Sequence, residues 1–421
     1  MAQNVEEDGE PEVSVATDLQ DERLRQTSGL RGSLSAFIER TKAGDLGVLP
    51  VVAGLVVIWT VFQILNPVFL SSANLSNLAM ELAPVGVMSL GIVVVLLIGQ
   101  IDLSVGSVSG LSSAIIAVTF VVHRWPLIPS LLIAVAAGLL IGWIYGQAVN
   151  RFGVPSFVVT LAGLLGFLGL QLSVLGSVGT YNIPFDSQLV RFAQLGYLSA
   201  PASYIFVLIA AVGLFLTGYS SARTRRKAGL SARSLPMLIA QSAILFAIGI
   251  YAAWYLNQSR GVGGMFVLFV VLVVVVNYAL TRTKWGKSVF AVGGNAEAAR
   301  RAGINVQFIN TSAFMLCSSL AAVGGILAVA RLASANQGSG TGDVNLNAIA
   351  AAVIGGTSLF GGHGSAYSAL LGMVVIQSIS SGLTLLSLSS AIRFEVTGAV
   401  LLLAVALDSV ARRSRSAHGR A

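Results

Sequence analysis

Residues 81–122 read ELAPVGVMSLGIVVVLLIGQIDLSVGSVSGLSSAIIAVTFVV. Two apolar runs, 81–99 and 104–122, lie on either side of a short polar segment that contains one carboxylate, Asp102. A helix needs roughly 20 apolar residues to cross the hydrocarbon core of a bilayer. Each run therefore predicts a membrane-spanning helix, with Glu81 at the membrane interface. The segment between them is too short to form an ordinary loop.

The whole chain has the composition of a membrane protein. Of its 421 residues, 55% are hydrophobic and 10% are charged, and the mean hydropathy is +0.84. Soluble domains carry about 25% charged residues, so this chain could not cover a soluble surface, and a large soluble enzyme is excluded. The net charge of +8 does not indicate nucleic-acid binding, because the basic residues cluster beside apolar runs, as membrane topology requires.

Apolar segments that could cross the membrane recur along the chain. They predict an all-α fold, a polytopic helical membrane protein with about 10–12 transmembrane helices that include broken or re-entrant segments. The segment 346–360 has only 15 residues, which fits either a short span or a re-entrant half-helix. The twelve candidates are 47–65, 81–99, 104–122, 127–149, 154–175, 202–219, 236–256, 262–280, 307–330, 346–360, 364–388 and 392–409.

The basic residues predict the orientation. With a cytoplasmic N-terminus, 20 of the 25 Lys and Arg residues fall on the cytoplasmic side. This bias places both termini in the cytoplasm and requires an even number of spans, so ten and twelve both fit. The predicted division is a partly disordered cytoplasmic tail (1–46), a transmembrane domain (47–409) and a basic cytoplasmic tail (410–421).

Two regions are too polar and too rich in glycine for ordinary spans: 99–107 and 334–365. In transporters, glycine-interrupted segments are a good sequence pointer to the solute path. Asp102 lies either on that path or at the start of the span that opens near Ser104, where its carboxylate would accept backbone N–H bonds, and we favour the capping role. The candidate pathway residues are Gln100, Asp102, Ser104, Asn336, Thr357 and Ser358.

The cytoplasmic loop 282–306 contains a short predicted helix. Asn295 is a good N-cap, Glu297 falls in the first turn, and Gly303 provides a C-terminal stop. Such a helix either only joins two spans or docks a partner on the inner face. The candidate docking residues are Gly293, Gly294, Asn295, Glu297, Ala298, Ala299, Arg300 and Gly303.

The sequence shows no catalytic residues and no metal-binding cluster. Gly286-Lys287-Ser288 ends like a phosphate-binding loop, but that pattern requires glycine at position 281, where this chain has Thr281. We therefore expect the chain to be neither an ATPase nor another enzyme. The single cysteine, Cys317, cannot form an internal disulfide and is expected to be buried.

Four separated motifs resemble the permease subunits of bacterial sugar ATP-binding-cassette importers of the ribose/xylose/branched-chain type. They are GQIDLSVGS (Gly99–Ser107), GVPSFVVTLAG (Gly153–Gly163), KWGKSVFAVGGNAEAARRAGINV (Lys284–Val306) and the stretch Ala330–Gly364. Within the last, Gly340–Asp343 followed by AIAAAVIGGTSLFGG (Ala348–Gly362) is especially specific. The xylose-type permeases are the most similar subgroup, since they also have an extra basic loop and span, here 221–234 and 236–256. Phe394 departs from that subgroup, which tends to have a glutamine there.

The resemblance implies a multi-pass protein of the bacterial cytoplasmic (inner) membrane. It implies import of a monosaccharide, a pentose such as xylose, by a homodimer of two permease copies. Separate ATPase subunits would use ATP and Mg, and an extracytoplasmic sugar-binding protein would deliver the sugar. The helix near 295–303 matches the coupling helix, which sits in a groove of the ATPase, and the chain itself would bind no cofactor.

Two other classes remain open. An ion-coupled secondary transporter of sugars or amino acids usually places several carboxylates at mid-membrane, whereas this sequence offers only Asp102 there. A channel or structural subunit would not need the capped cytoplasmic helix.

Overall fold

A computed structural model describes residues 49–392, 394–399 and 402. Both predicted tails, 1–46 and 410–421, lie outside these residues, as does more than half of the predicted last span, 392–409. The described residues are almost entirely helical, and nine of their helices are long and apolar enough to cross a membrane. The prediction of an all-α multi-pass membrane protein is confirmed.

The helices follow one another with short connections. They are α1 (Leu49–Leu65), α2 (Ser72–Leu97), α3 (Val105–Ile116, continued by a π-helix over Ala117–Val122), α4 (Leu127–Phe152), α5 (Ser156–Leu175, followed by a 3-10 turn over Gly176–Val178), α6 (Gln188–Leu195), α7 (Ala200–Lys227), α8 (Leu235–Leu256), α9 (Gly264–Arg282), α10 (Lys284–Gly294), α11 (Ala296–Arg301), α12 (Val306–Leu332), α13 (Val344–Ile354) and α14 (Tyr367–Leu385). Strands β1 (Thr180–Asn182) and β2 (Ser334–Asn336) pair antiparallel, with Thr180 opposite Asn336.

The apolar segments are helical even where side-chain propensity favours strands. Residues 270–276 read VVLVVVV and lie in the middle of α9. Valine favours strands in water-soluble proteins, but a helix satisfies all its backbone hydrogen bonds within one segment, as the hydrocarbon core demands. The apolar membrane interior, rather than side-chain propensity, therefore determines the secondary structure of this segment.

The described chain forms two compact units. One includes Ala200–Trp254, which contains α7 and all but the last two residues of α8, and the other contains the remaining described helices. In the second unit, α12 packs on α4 through a row of glycines. A Cβ atom at Gly138 would lie 2.6 Å from the carbonyl oxygen of Ser318, and one at Gly146 would lie 2.6 Å from Thr311 Cα. The small residues let the two backbones come this close.

Helix α2 begins nine residues earlier than predicted. Ser71 caps it, because its Oγ accepts the Asn74 N–H at 3.3 Å. Glu81 is therefore the tenth residue of the helix, about 14 Å from its start at 1.5 Å per residue. The helix is therefore longer than the predicted span, and the position of Glu81 at the membrane interface stays a prediction.

Helix α13 confirms that the predicted segment 346–360 is broken. It has 11 residues, which is about 16 Å of helix and half of the hydrocarbon thickness. The chain then leaves the helix at Gly355 and Gly356 and reaches α14 through residues 357–366. Among the described residues, α1 (17 residues) and α13 are apolar helices that add to the nine long ones. The choice between ten and twelve spans stays a prediction.

Candidate functional site

The chain between α2 and α3 runs as an irregular segment through the protein interior. Irregular backbone is tolerated at membrane depth only where protein or water satisfies its polar groups. Two hydroxyls of α5 do this here: Ser156 Oγ accepts the Ile101 N–H at 3.2 Å, and Thr160 Oγ1 accepts the Leu103 N–H at 3.1 Å. The amide of Asn345 donates to the carbonyl oxygen of Leu103 at 2.6 Å. We call residues 98–104 the first break.

Asp102 is the buried centre of the first break. Asp102 is only 1% exposed. Its Oδ1 accepts hydrogen bonds from the Ser104 N–H (2.8 Å) and the Ser104 hydroxyl (2.7 Å), and the Cys317 thiol donates to Oδ2 at 3.6 Å. Cys317 is the twelfth residue of the 27-residue α12, so the carboxylate lies near the middle of that span. The ion pairs of the described residues all lie elsewhere.

A second polar contact fixes Ser104. The Tyr145 hydroxyl, from α4, donates to Ser104 Oγ at 2.7 Å, and both residues are buried. The hydrogen bonds therefore run from Tyr145 through Ser104 to Asp102. The carboxylate accepts the N–H of Ser104, the residue just before α3, whereas a capping side chain accepts an N–H of the first helical turn. The capping role of Asp102 therefore stays a prediction. The bond lies one residue outside the helix rather than within its first turn.

The second break is the segment 355–364, and it meets the first. The Gly362 N–H donates to the carbonyl oxygen of Leu97 at 2.9 Å. A Cβ atom at Gly361 would lie 2.9 Å from the Gly99 nitrogen and 2.7 Å from the Gly293 carbonyl oxygen. Gly293, the last but one residue of α10, therefore lies beside the second break, at the place where that break meets the first.

The six predicted pathway residues do not meet at one site. Gln100, Asp102 and Ser104 belong to the first break, and Thr357 and Ser358 to the second. Thr357 is 1% exposed, and its hydroxyl has no hydrogen-bond partner within the described part of the chain. Asn336 lies in β2, beyond the far end of α12, where its carbonyl oxygen accepts the Gln171 amide at 3.0 Å. Their place on a solute path stays a prediction.

The short helix predicted in the 282–306 loop is α11. The side chain of Asn295 caps it by accepting the Ala298 N–H at 2.9 Å, and Glu297 pairs with Arg300 at 2.7 Å. Gly303 has φ +84° and donates its N–H to the Arg300 carbonyl at 3.0 Å. Residues 294–298 are exposed, whereas Ala299 is buried in the core.

Sequence reasoning missed helix α10, which precedes α11. Thr283 caps α10, because its Oγ1 accepts the Gly286 N–H at 3.1 Å, and this Thr at the end of α9 was the available signal. The Trp285 indole donates to Ser312 Oγ on α12 at 2.8 Å. A Cβ atom at Gly293 would collide with the Leu97 carbonyl oxygen, whereas one at Gly294 would have no neighbour within 4 Å. Helix α10 therefore packs closely against Leu97, next to the first break. The exposed residues 294–298, which we call the tip, follow this contact directly.

A polar cluster on α2, α12 and α14 was also missed. Glu81 Oε2 accepts the Gln377 amide at 2.9 Å, and Glu81 Oε1 lies 3.9 Å from the Arg331 guanidinium. Next to it, the Ser381 hydroxyl donates to Asn74 Oδ1 at 3.2 Å. The Glu81 side chain is 48% exposed although it lies well inside a spanning helix. A carboxylate inside the hydrocarbon core is costly and is a functional candidate by default, so this face is expected to meet water or protein rather than lipid.

The comparisons with known proteins agree with these features. A family model described as the permease component of branched-chain amino acid transport systems matches residues 74–405. The chain is 35% identical to the xylose transport system permease protein of Escherichia coli (strain K12) over 88% of this chain and 94% of that protein. It is 33% identical to the xylose transport system permease protein of Haemophilus influenzae over 88% of this chain and 98% of that protein.

A third relative is the ribose import permease protein of Escherichia coli (strain K12), which is 31% identical over 84% of this chain and 91% of that protein. No solved structure matches the chain significantly. The family model covers both breaks and the short helix α11. The chain therefore belongs to the family of permease components of the branched-chain amino acid transport type.

Proposed function

We propose that this chain is the membrane-spanning subunit of an ATP-driven importer that carries a monosaccharide, a pentose such as xylose, into the cell. Two of the relatives above are named as xylose permeases and one as a ribose permease, which supports a pentose substrate. The proposed assembly contains a second copy of this chain, ATPase subunits that bind ATP and Mg, and an extracytoplasmic sugar-binding protein. In this proposal the partner subunits, and not this chain, hydrolyse ATP.

One observation carries the proposal: the exposed residues 294–298 directly follow Gly293 of α10, which lies against the second break and against the residue that precedes the first. Gly293 lies against Leu97, the residue of α2 just before the first break, and against Gly362 of the second break. Because the helix is capped at both ends, a partner that grips it would move it as a rigid piece. Movement of the tip would then shift the backbone at both breaks together. Work is done only when ATP binds better to one of the two resulting states.

The Glu81–Gln377 pair is the proposed contact for the sugar in the outer half of the membrane. A carboxylate and an amide accept and donate hydrogen bonds to hydroxyl groups, as a neutral sugar requires. The nearby Arg331 balances the carboxylate charge, so that the pair would not attract a free cation strongly. The two groups come from α2 and α14, which contain or border the two breaks, and a movement of the breaks could therefore change their separation.

The docking role is tested with the full complex in lipid vesicles. A double variant, Glu297→Lys with Gly294→Glu, changes the exposed tip without touching the core. We expect it to insert normally and to lose sugar-stimulated ATP hydrolysis and uptake. The matched control is Lys287→Glu with Ser288→Glu, two nearby residues of α10. It alters the net charge by at least as much as the double variant does, and it should retain most of the uptake activity. Normal coupled uptake by the tip variant would refute the docking role.

The same vesicles test the class of transporter. The chain alone should not accumulate sugar when a proton or sodium gradient is applied. Accumulation under those conditions would favour the ion-coupled secondary transporter instead.

A further inference from the structure

We propose that a pocket at the basic end of the α7–α8 pair binds the phosphate headgroup of an anionic phospholipid. The inference is independent of the proposed sugar transport. It starts from a cavity of about 420 Å³ between the last turns of α7 and the first turns of α8. Three cations, Arg223, Arg226 and Lys227, line this cavity together with apolar side chains that include Leu235 and Leu238.

The lengths of the two helices place this cavity at the membrane surface. Helix α7 has 28 residues, about 42 Å at 1.5 Å per residue, and the hydrocarbon core is about 30 Å thick. Its apolar part comes first, and its last turn contains Arg225, Arg226 and Lys227. Helix α8 begins again with apolar residues at Leu235. The basic turn therefore extends into the headgroup layer.

Within the described residues, no carboxylate pairs with the three cations that line this pocket. The sequence contains no Asp or Glu between Asp186 and Glu297. The ion pairs of the described residues involve Glu81 and Glu297, not the pocket. Arg223 and Lys227 are both exposed. Three adjacent cations repel one another, and an anion between them would relieve that repulsion.

The wall of the pocket is fixed by its own hydrogen bonds. Arg225 Nε donates to the carbonyl oxygen of Ser231 at 2.6 Å, and an Nη atom of Arg226 donates to the carbonyl oxygen of Arg233 at 3.3 Å. These bonds hold the connecting loop 228–234 against the end of α7. A site that is already ordered loses less entropy when a ligand binds.

The lining favours a lipid over a free phosphate ion. A guanidinium group matches the geometry of a phosphate oxygen pair, which accounts for the headgroup. Leu238 and the ring of Tyr219 offer an apolar surface beside the cations, which a free ion would not use and a glycerol backbone with acyl chains would. Basic pockets between spans on the cytoplasmic side are suited to anionic lipids for the same reason.

The test uses the full chain in its purified complex, with dioctanoyl phosphatidylglycerol as the probe and dioctanoyl phosphatidylcholine as the uncharged comparison. Native mass spectrometry measures how much of each lipid remains bound. We expect the wild type to retain the anionic lipid in preference. The variant Arg223→Gln with Lys227→Gln should lose roughly 25-fold in affinity, because each basic residue at such a surface contributes about a factor of five.

The control variant Arg124→Gln with Lys287→Gln removes the same charge outside the pocket and should bind the lipid as the wild type does. An equal loss in both variants would show a general charge effect and would overturn the site. Equal retention of the two lipids by the wild type would overturn it without any variant. Competition by inorganic phosphate at the same concentration as the lipid would overturn the lipid as the ligand.

Discussion

The Gly362 N–H donates to the Leu97 carbonyl oxygen across 2.9 Å, and this bond joins the two broken segments of the membrane domain. Leu97 is the last residue of α2, and its carbonyl has no partner further along that helix. The second break supplies this partner. Two regions that lie more than 250 residues apart in the chain thus satisfy a backbone N–H and a backbone carbonyl of each other, next to Gly293.

The first prediction concerns Gly293 and Gly294. A methyl group at Gly293 would collide with the Leu97 carbonyl oxygen and would lie 2.6 Å from the Gly362 nitrogen. Gly293→Ala should therefore destabilise the protein by about 1–3 kcal/mol, the usual cost of overpacking, and should lower coupled uptake. Gly294→Ala is the matched control, because a Cβ atom there meets nothing within 4 Å. Thermal unfolding in detergent measures both, and equal melting temperatures would contradict the close contact.

The second prediction concerns Asp102. Asp102→Ala leaves the Ser104 N–H and hydroxyl and the Cys317 thiol without their acceptor in a buried place. We expect a loss of about 1–3 kcal/mol for the unsatisfied donors and a lower yield of folded protein. Asp102→Asn keeps one acceptor oxygen and should cost less. Sugar preference, measured by competition between xylose and ribose, should not change in either variant that reaches the membrane. A change in preference with normal yield would place Asp102 on the solute path instead.

The third prediction concerns Glu81. Glu81→Gln keeps the size of the side chain but removes its charge, and hydrogen bonds to charged groups contribute about 1.5–3 kcal/mol. We expect the maximal uptake rate, measured with saturating binding protein, to fall roughly tenfold or more. ATP hydrolysis in the absence of sugar and the melting temperature should stay near the wild-type values. The substitution Asn277→Asp, at a half-buried position of α9, introduces a charge outside this cluster and serves as the control. Unchanged uptake by Glu81→Gln would remove Glu81 from the path.

The fourth prediction concerns the contact between α4 and α12. A Cβ atom at Gly142 would collide with the Phe314 carbonyl oxygen and lie 2.6 Å from the Met315 nitrogen. Gly142→Ala should force the two helices apart and destabilise the protein by about 1–3 kcal/mol. Gly169→Ala, on α5, should be neutral or slightly stabilising, since its Cβ would have no neighbour within 4 Å and alanine favours helix. Thermal unfolding under the same conditions should give a lower melting temperature for Gly142→Ala than for Gly169→Ala, and equal melting temperatures would contradict the close helix contact.

The short helix α11 could be predicted from the chemistry of neighbouring residues alone. Asn295, Glu297 and Gly303 predicted its start and end, and the structure has the cap at Asn295 and the left-handed glycine at Gly303. Capping depends on residues within one or two turns, so a single stretch of sequence contains the information. Helix α10 was missed because its cap, Thr283, is the only residue between the end of α9 and the start of α10, so that no loop separates the two helices.

The sequence by itself determined that this protein crosses a membrane many times, which segments are broken and which family it belongs to. Hydrophobicity, glycine content and caps are local properties that need no knowledge of the fold. Only the tertiary structure decided that Asp102 meets Cys317, that Gly293 presses on Leu97 and that Glu81 lies exposed beside Gln377. Spanning helices are apolar on lipid-facing and protein-facing sides alike, so their sequences do not show which faces pack, and contacts between distant spans follow only from the packed whole.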